Sequence, residues 1–598
     1  MLDYSDGAAT DDAAGVRFSD ERARRTLTDH LDVLCHPEAR TPGRRVVRVK
    51  TNPSRTVYAC TLDGHRYYLK QFHSRDLGHR LAARLRGDDA FRELALSDHL
   101  RRRGVRTVVV LAAGRQGRMT WNISRDAGST SADRWHDARA GARDRATVAE
   151  IRRVLGATAR LIGAMHAAGV VHHDLHAGNL FLPDTDGAAE PVLADLHRAG
   201  RRRWLSRSAR ARNLAQLAYD RFHATTRTDR LRFLKAYLRA CGAGGTLRGW
   251  ARLVGRLTET HARRLLTSRD RRVNGTNRYF ATLRLDGGWR GHVVLASKRR
   301  PPFSDAAAMT FTREAWRAAL ARPDALPAGD DAEPVKAGRA GALVRRRLTI
   351  GSHRVDVYIK RHHHRGILKR LGDLVRPSRP LRAFRLGHTL LARRIPTALP
   401  LAALEQRRGR WLYDSILITE AVAPAVTLRR YAARLERMPH GARWAWAGRV
   451  ARFVRDLHDA GFSHRDLKDT NLLVAGTGDE ARLVLIDLDG LRRHRRVPWD
   501  RRLQGLMRLN AATASVEAIT RTDRLRVLLT YLRRPGGPAM GWKPAWWAIQ
   551  RRTARKLARG RRNVAAPTAS SSSDDGSGIA LAAARSAWKS SSTGKPDP

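Results

Sequence analysis

The chain contains itself twice. Residues 226–238 read Thr-Arg-Thr-Asp-Arg-Leu-Arg-Phe-Leu-Lys-Ala-Tyr-Leu, and residues 520–532, 294 positions later, read Thr-Arg-Thr-Asp-Arg-Leu-Arg-Val-Leu-Leu-Thr-Tyr-Leu. A second pair recurs at a distance of 292: His166-Ala167-Ala168-Gly169 with His172-His173-Asp174-Leu175, then His458-Asp459-Ala460-Gly461 with His464-Arg465-Asp466-Leu467. Two nearly equal offsets in separate segments mean a duplicated domain, since the period lies far beyond the roughly 20–50 residues of solenoid repeats. Each copy is expected to fold around its own core, and 598 residues with 42% apolar content are enough for two.

Each copy opens on a hairpin pattern. Val57 to Leu62 and Arg66 to Lys70 flank Asp63-Gly64, a type I′ turn signal, and Leu348 to Ile350 and Val355 to Lys360 flank Gly351-Ser352. A helical stretch follows each hairpin (about 88–103 and 379–394), then strands, then a mainly helical half leading into the Asp174 or Asp466 loop. The pattern predicts an α+β chain in which a strand-rich small lobe precedes a helical large lobe, twice over. The expected boundaries are a leader over 1–40, a first domain over 41–265, a linker with a small accessory segment over 266–334, a second domain over 335–562 and a disordered tail over 563–598.

Composition narrows the setting. Cys35, Cys60 and Cys241 are too few and too scattered for a disulfide framework or a thiolate metal site. The start, Met1-Leu2-Asp3-Tyr4-Ser5-Asp6, is acidic where an export signal is basic, and apolar runs fall far short of the roughly 20 residues that span a bilayer. A cytoplasmic chain, soluble or surface-attached, is expected. The formal charge of +59 calls for an anionic partner: nucleic acid, acidic headgroups, or a phosphorylated or carboxylated glycan. The arginines run through every segment, so part of that excess reads as solvated surface.

The chemistry sits in the repeated loops. In His464-Arg465-Asp466-Leu467-Lys468-Asp469-Thr470-Asn471, an Asp able to accept a hydroxyl proton stands five residues before an Asn able to hold a metal ion. Sixteen residues after Asn471, the apolar run Leu483-Val484-Leu485-Ile486 ends in Asp487, and the first copy repeats both spacings with Asp174, Asn179 and Asp195. An ATP-dependent transfer needs oxygen ligands for Mg²⁺ and an acceptor-only group near the attacking hydroxyl, which these side chains supply. Lys70 and Lys360 end the second hairpin strands, where an inward-facing ammonium neutralises phosphates. Glu93, on the following helix, is a partner for Lys70; in the second copy Ala383 takes that place, no acid occurs between Pro377 and Ile395, and Lys360 has no evident partner.

Other features are weaker. Asn52-Pro53-Ser54-Arg55-Thr56 holds no glycine and Gly338-Arg339-Ala340-Gly341 only two, a poor phosphate loop in either copy. His166, His172, His458 and His464 read as packed or hydrogen-bonded residues, and His362-His363-His364 as a basic loop rather than a metal site.

The loops resemble the protein-kinase superfamily, although Asp195-Leu196-His197 and Asp487-Leu488-Asp489 stand where Asp-Phe-Gly is expected and Ala-Pro-Glu is missing. With the Gly-poor phosphate loop, Arg382-Ala383-Phe384 before Arg394-Ile395-Pro396-Thr397, and the Thr-Asp-Arg-Leu-Arg helices, the chain is similar to the lipopolysaccharide core kinases, the Kdo/heptose kinase family, over roughly 41–260 and 335–535. The resemblance implies two tandem protein-kinase-like bilobal domains that phosphorylate a sugar hydroxyl of the lipopolysaccharide inner core with ATP and Mg²⁺, at the cytoplasmic face of the inner membrane. It implies that Lys70 and Lys360 orient phosphates, Glu93 fixes Lys70, Asp174 and Asp466 act as bases, and Asn179, Asp195, Asn471 and Asp487 hold metal. Lys468 would touch the γ-phosphate, a role His176 fills poorly. An acidic, membrane-borne glycan acceptor and a peripheral approach to an anionic surface suit the charge, and nucleic acid is the less favoured partner. A kinase of a protein or small molecule, or a charge-driven scaffold without turnover, are the alternatives.

Overall fold

The computed structural model describes residues 15–565 except 39–44, 53, 74–86, 129, 140, 143, 184–189, 297–308, 330, 339–340, 363–373, 375, 479–480 and 534–539. The chain divides into two units, Met1–Arg264 and Leu265–Pro598. Both are bilobal, with an antiparallel sheet lobe followed by a helical lobe, as the repeat predicts.

In the first unit, six described strands lie in the order Val16–Phe18, Val110–Gln116, Met119–Arg125, His65–His73, Arg55–Leu62, Arg45–Asn52. The hairpin turns at Asp63 and Gly64, both with positive φ (49° and 76°), which is the type I′ geometry the Asp-Gly pair predicts. Alternate residues Tyr58, Cys60, Leu62, Tyr67 and Leu69 are buried on one face of the sheet.

The second unit has the same order with one strand added: Phe280–Arg284, Trp289–Val294, Pro400–Arg408, Trp411–Glu420, His353–His362, Gly341–Ile350, Glu333–Gly338. Trp289–Val294 pairs with Pro400–Arg408 as Val16–Phe18 pairs with Val110–Gln116. The expected leader and the expected linker are therefore equivalent parts of the two copies, each closing the same edge of its sheet. Their sequences share no evident pattern, which is why the repeat seemed to start later. The expected tail also begins late: the helix Trp542–Ala565 extends past 563, and positions beyond it lie outside the described residues.

Behind each sheet, one helix, Asp89–Arg102 or Arg379–Ala392, links it to the helical lobe. The long helices Arg145–Ala167 and His440–Asp459 form the cores of those lobes, each packed by the helix that carries the repeated Thr-Arg-Thr-Asp motif. That motif is an N-terminal capping box in both copies. Thr226 and Thr520 accept from the backbone N–H of Asp229 and Asp523, whose carboxylates accept in return from the threonine N–H groups.

Candidate functional site

Two short strand pairs bring the loops together. Val170–His172 pairs antiparallel with Ala199–Arg201, and Phe462–His464 with Leu491–Arg493, so that the loop holding Asp174 or Asp466 lies beside the one holding Asp195 or Asp487. A histidine ring spans the gap in each unit. His464 accepts from the Asp466 N–H at Nδ1 (3.1 Å) and donates from Nε2 to the Asp487 carbonyl (2.8 Å). His172 does the same with Asp174 (3.2 Å) and Asp195 (3.1 Å). Both nitrogens are used by the neutral ring, and burial lowers both pKa values, so these histidines scaffold the loops, as expected, and stay uncharged. Asn179 and Asn471 tie the loops further, donating to the carbonyls of Asp174 (2.9 Å) and Asp466 (2.8 Å).

Asp195 and Asp487 both sit in the left-handed backbone region, with φ of 63° and 58°. A non-glycine residue rarely holds this conformation unless its surroundings impose it, and such strain concentrates at working sites.

The lysines complete the arrangement differently in the two units. In the first, Lys70 Nζ donates to Glu93 Oε1 at 2.5 Å, and Asn122, opposite Lys70 in strand register, donates to Glu93 Oε2 at 3.0 Å. Burial raises the Glu93 carboxyl, but the Lys70 charge outweighs it and holds it ionised below the usual range. In the second unit Ala383 and Leu417 replace Glu93 and Asn122, and both are buried in the apolar core. Lys360 is nevertheless paired. Its Nζ donates to Asp487 Oδ1 (2.9 Å) and to Asp489 Oδ2 (2.6 Å), and His362 Nε2 donates to the same Asp489 oxygen at 2.9 Å. Burial alone would lower the Lys360 pKa; the charges of Asp489 and Asp487 overcome it and raise it. This corrects the expectation of an unpartnered lysine: the counter-charge comes from the loop rather than from the helix. His362 is a buried strand residue rather than part of a basic loop, while His363 and His364 lie outside the described residues.

Arg55, Asn122, His197, His362, Asp489 and Arg508 escaped the sequence reading. His362 and Asp489 had a signal, since a residue two positions after an inward lysine shares its face of the strand, and Asp489 stands two after Asp487. Arg508, from the helix Trp499–Ala512, donates to Asp466 Oδ1 at 2.7 Å. Desolvation and the nearby charges of Arg508 and Lys468 lower the Lys556 pKa, and the Asp466 charge opposes them. In the first unit Asp174 meets Arg198 at 3.3 Å.

As metal holders, the second-unit residues fit. Among the described residues, Asp489 Oδ1 is buried without a hydrogen-bond partner, and Asp487 Oδ1 meets the Lys360 ammonium at 2.9 Å with no arginine on it. In the first unit Asp195 Oδ1 is already engaged by Arg55, His197 and Lys70, and the fit is poor.

A model described as "Lipopolysaccharide kinase (Kdo/WaaP) family" matches residues 32–237 and 341–531. Among curated proteins, the lipopolysaccharide core heptose(I) kinase WaaP of Pseudomonas aeruginosa is 34% identical over 127 residues, 20% of this chain and 47% of the relative. The Escherichia coli protein of the same name is 31% identical over 127 residues, 20% of this chain and 48% of the relative. These alignments span about half the length of the curated relatives. Among solved structures, "WaaP in complex with acyl carrier protein" is 24% identical, covering 42% of this chain and 98% of that one, with a TM-score of 0.32. The PknI kinase domain of Mycobacterium tuberculosis is 18% identical, covering 37% and 98%, with a TM-score of 0.24.

Proposed function

The chain belongs to the lipopolysaccharide kinase (Kdo/WaaP) family, and from that premise we propose that it transfers a phosphoryl group from ATP to a sugar hydroxyl, of Kdo or heptose, in the lipopolysaccharide inner core. The observation that carries this reading is the repeated histidine bridge, which fixes the Asp174 or Asp466 loop against the Asp195 or Asp487 loop with the same hydrogen bonds in both units.

The reaction needs little covalent help from the protein; it needs positioning and charge. Asp466 accepts the proton of the acceptor hydroxyl as it attacks, and Asp174 is its counterpart. Lys360 and Lys70 draw the phosphates inward, with Asp489 and Glu93 restraining their ammonium groups. Asn471 with Asp487 would hold the metal, and Mg²⁺ when bound would supply neutralisation of phosphate charge; Asn179 and Asp195 occupy the matching positions of the first unit, where Arg55, His197 and Lys70 already engage the carboxylate. Lys468 is assigned to the γ-phosphate, by the same reading. Arg508, Lys468 and Lys556 around Asp466 favour an acceptor whose hydroxyl lies near anionic groups, as in a phosphorylated or carboxylated glycan.

Mass spectrometry of lipopolysaccharide from cells with and without the chain tests the class: a loss of one inner-core phosphate is expected, and an unchanged core would refute the acceptor. The charge of +59 supports a peripheral approach to an anionic membrane surface. Binding to acidic vesicles is then expected to vanish near 1 M salt, where screening shortens to about 3 Å; retention would point to a hydrophobic anchor.

A further inference from the structure

The two clefts differ at five matched positions, and the differences are coordinated. By strand register Arg55 faces Phe72, two residues after Lys70, and Gly341 faces His362, two residues after Lys360. Arg55 of the first unit thus corresponds to Gly341 of the second, Phe72 to His362, Glu93 to Ala383, Asn122 to Leu417 and His197 to Asp489. The first unit gathers nitrogen groups on its metal-side carboxylate. Arg55 Nη1 reaches Asp195 Oδ1 at 2.6 Å, His197 Nδ1 lies 2.8 Å from the same oxygen, and Lys70 Nζ lies at 3.6 Å. Phe72 packs against the His197 ring at 5.9 Å between centroids. The second unit removes the arginine and adds an acid. At Gly341 φ is +148°, and a Cβ would stand 2.2 Å from the Arg361 carbonyl, so that position excludes any side chain. Asp487 and Asp489 then face Lys360, and Asp489 keeps one buried oxygen without a partner among the described residues.

A divalent ion bridging to phosphates needs carboxylate oxygens, and a guanidinium on the same oxygen competes for them directly. Arg55 also starts the strand Arg55–Leu62 at the tip of the hairpin that would cover the phosphates, so its reach to Asp195 crosses the space they need. We propose that the two units divide the work: the second loads the metal–nucleotide, with Asp489 positioning Lys360 in place of a helix glutamate, and Arg55 bars the first from loading it. This rests on the kinase reading above. It goes beyond that reading by making the first unit a locked copy that one side chain holds shut.

The test is calorimetric titration of the full chain with a non-hydrolysable ATP analogue and Mg²⁺, read as moles bound per mole of chain. About one is expected for the wild type and about two for Arg55→Ala, since removing the guanidinium takes away the shortest of the three contacts on the Asp195 oxygen and the one that comes from the hairpin tip. Asp487→Asn should abolish the wild-type site, and Asp489→Ala should weaken it at least tenfold in a chain that still melts cooperatively, at a lower temperature because Lys360 and His362 lose a buried partner. Ala383→Glu in the Asp489→Ala background should restore part of that loss by returning an acid to the helix. A wild-type stoichiometry of two, or a single site that survives Asp487→Asn, overturns the division of work. If Arg55→Ala stays at one while melting as the wild type does, Arg55 is not the bar and the proposal fails. No binding in any variant would instead sink the kinase reading itself.

Discussion

At the scale of single residues, the site depends on buried charges that are satisfied by partners from distant parts of the chain. Glu93 is 1% exposed, and its ionised form survives there because Lys70, Asn122 and the Leu196 N–H all point at it. Asp489 is held ionised by His362 and Lys360 although burial alone would raise its pKa. Asp466 and Asp174 are only half-buried, and each meets an arginine, Arg508 at 2.7 Å and Arg198 at 3.3 Å. Replacing each by Asn keeps volume and removes the carboxylate proposed above as proton acceptor. The double variant Asp174→Asn/Asp466→Asn is expected to lose about 10²–10⁴-fold in phosphotransfer while melting near the wild-type temperature. Transfer at the wild-type rate in a radiolabelled-ATP assay would show that neither aspartate is the base.

At the scale of elements, legibility followed periodicity. Hairpins and linking helices were readable because alternation and an Asp-Gly turn each act over a few neighbouring residues, whereas the repeated Thr-Arg-Thr-Asp segment was legible as a repeat and shown to be a capping box by the structure. The strands Val16–Phe18 and Trp289–Val294 were misplaced into a leader and a linker, because what makes them part of a sheet is an edge presented by strands about a hundred residues away. This has a consequence for proteolysis. The second-unit core is expected to retain residues 280–294, since Ala281, Leu283, Trp289 and Val293 are buried in its apolar cluster. Mass mapping of limited-digestion fragments checks it: a stable fragment beginning near 335 would mean that these strands are dispensable.

At the scale of the whole molecule, each unit carries a buried neutral histidine whose burial pushes its pKa down to about 4, His166 in the first and His388 in the second. The folded chain therefore binds fewer protons than the unfolded one between pH 4 and the ordinary histidine value near 6.5, so stability rises with pH across that window. Their contribution is complete above about pH 6.5 and is lost as pH falls toward 4, on the order of 3 kcal/mol for each histidine. Asp98, pushed up to about 6 by burial, opposes this, but over a smaller shift. Urea denaturation from pH 7.5 to 4.5 is expected to show a falling midpoint, and a flat profile would mean that the two rings are not buried neutral. The duplication, the two-lobe pattern, the family resemblance and the spacing of Asp, Asn and Asp in both loops are legible in the order of residues alone, because each is a local or repeated pattern. Which carboxylate restrains Lys360, that Arg55 reaches Asp195, and where each sheet truly begins were decided only by the tertiary structure. The two ion pairs join residues 129 and 140 positions apart, and a charge buried by folding takes whichever partner the folded backbone brings within hydrogen-bond reach.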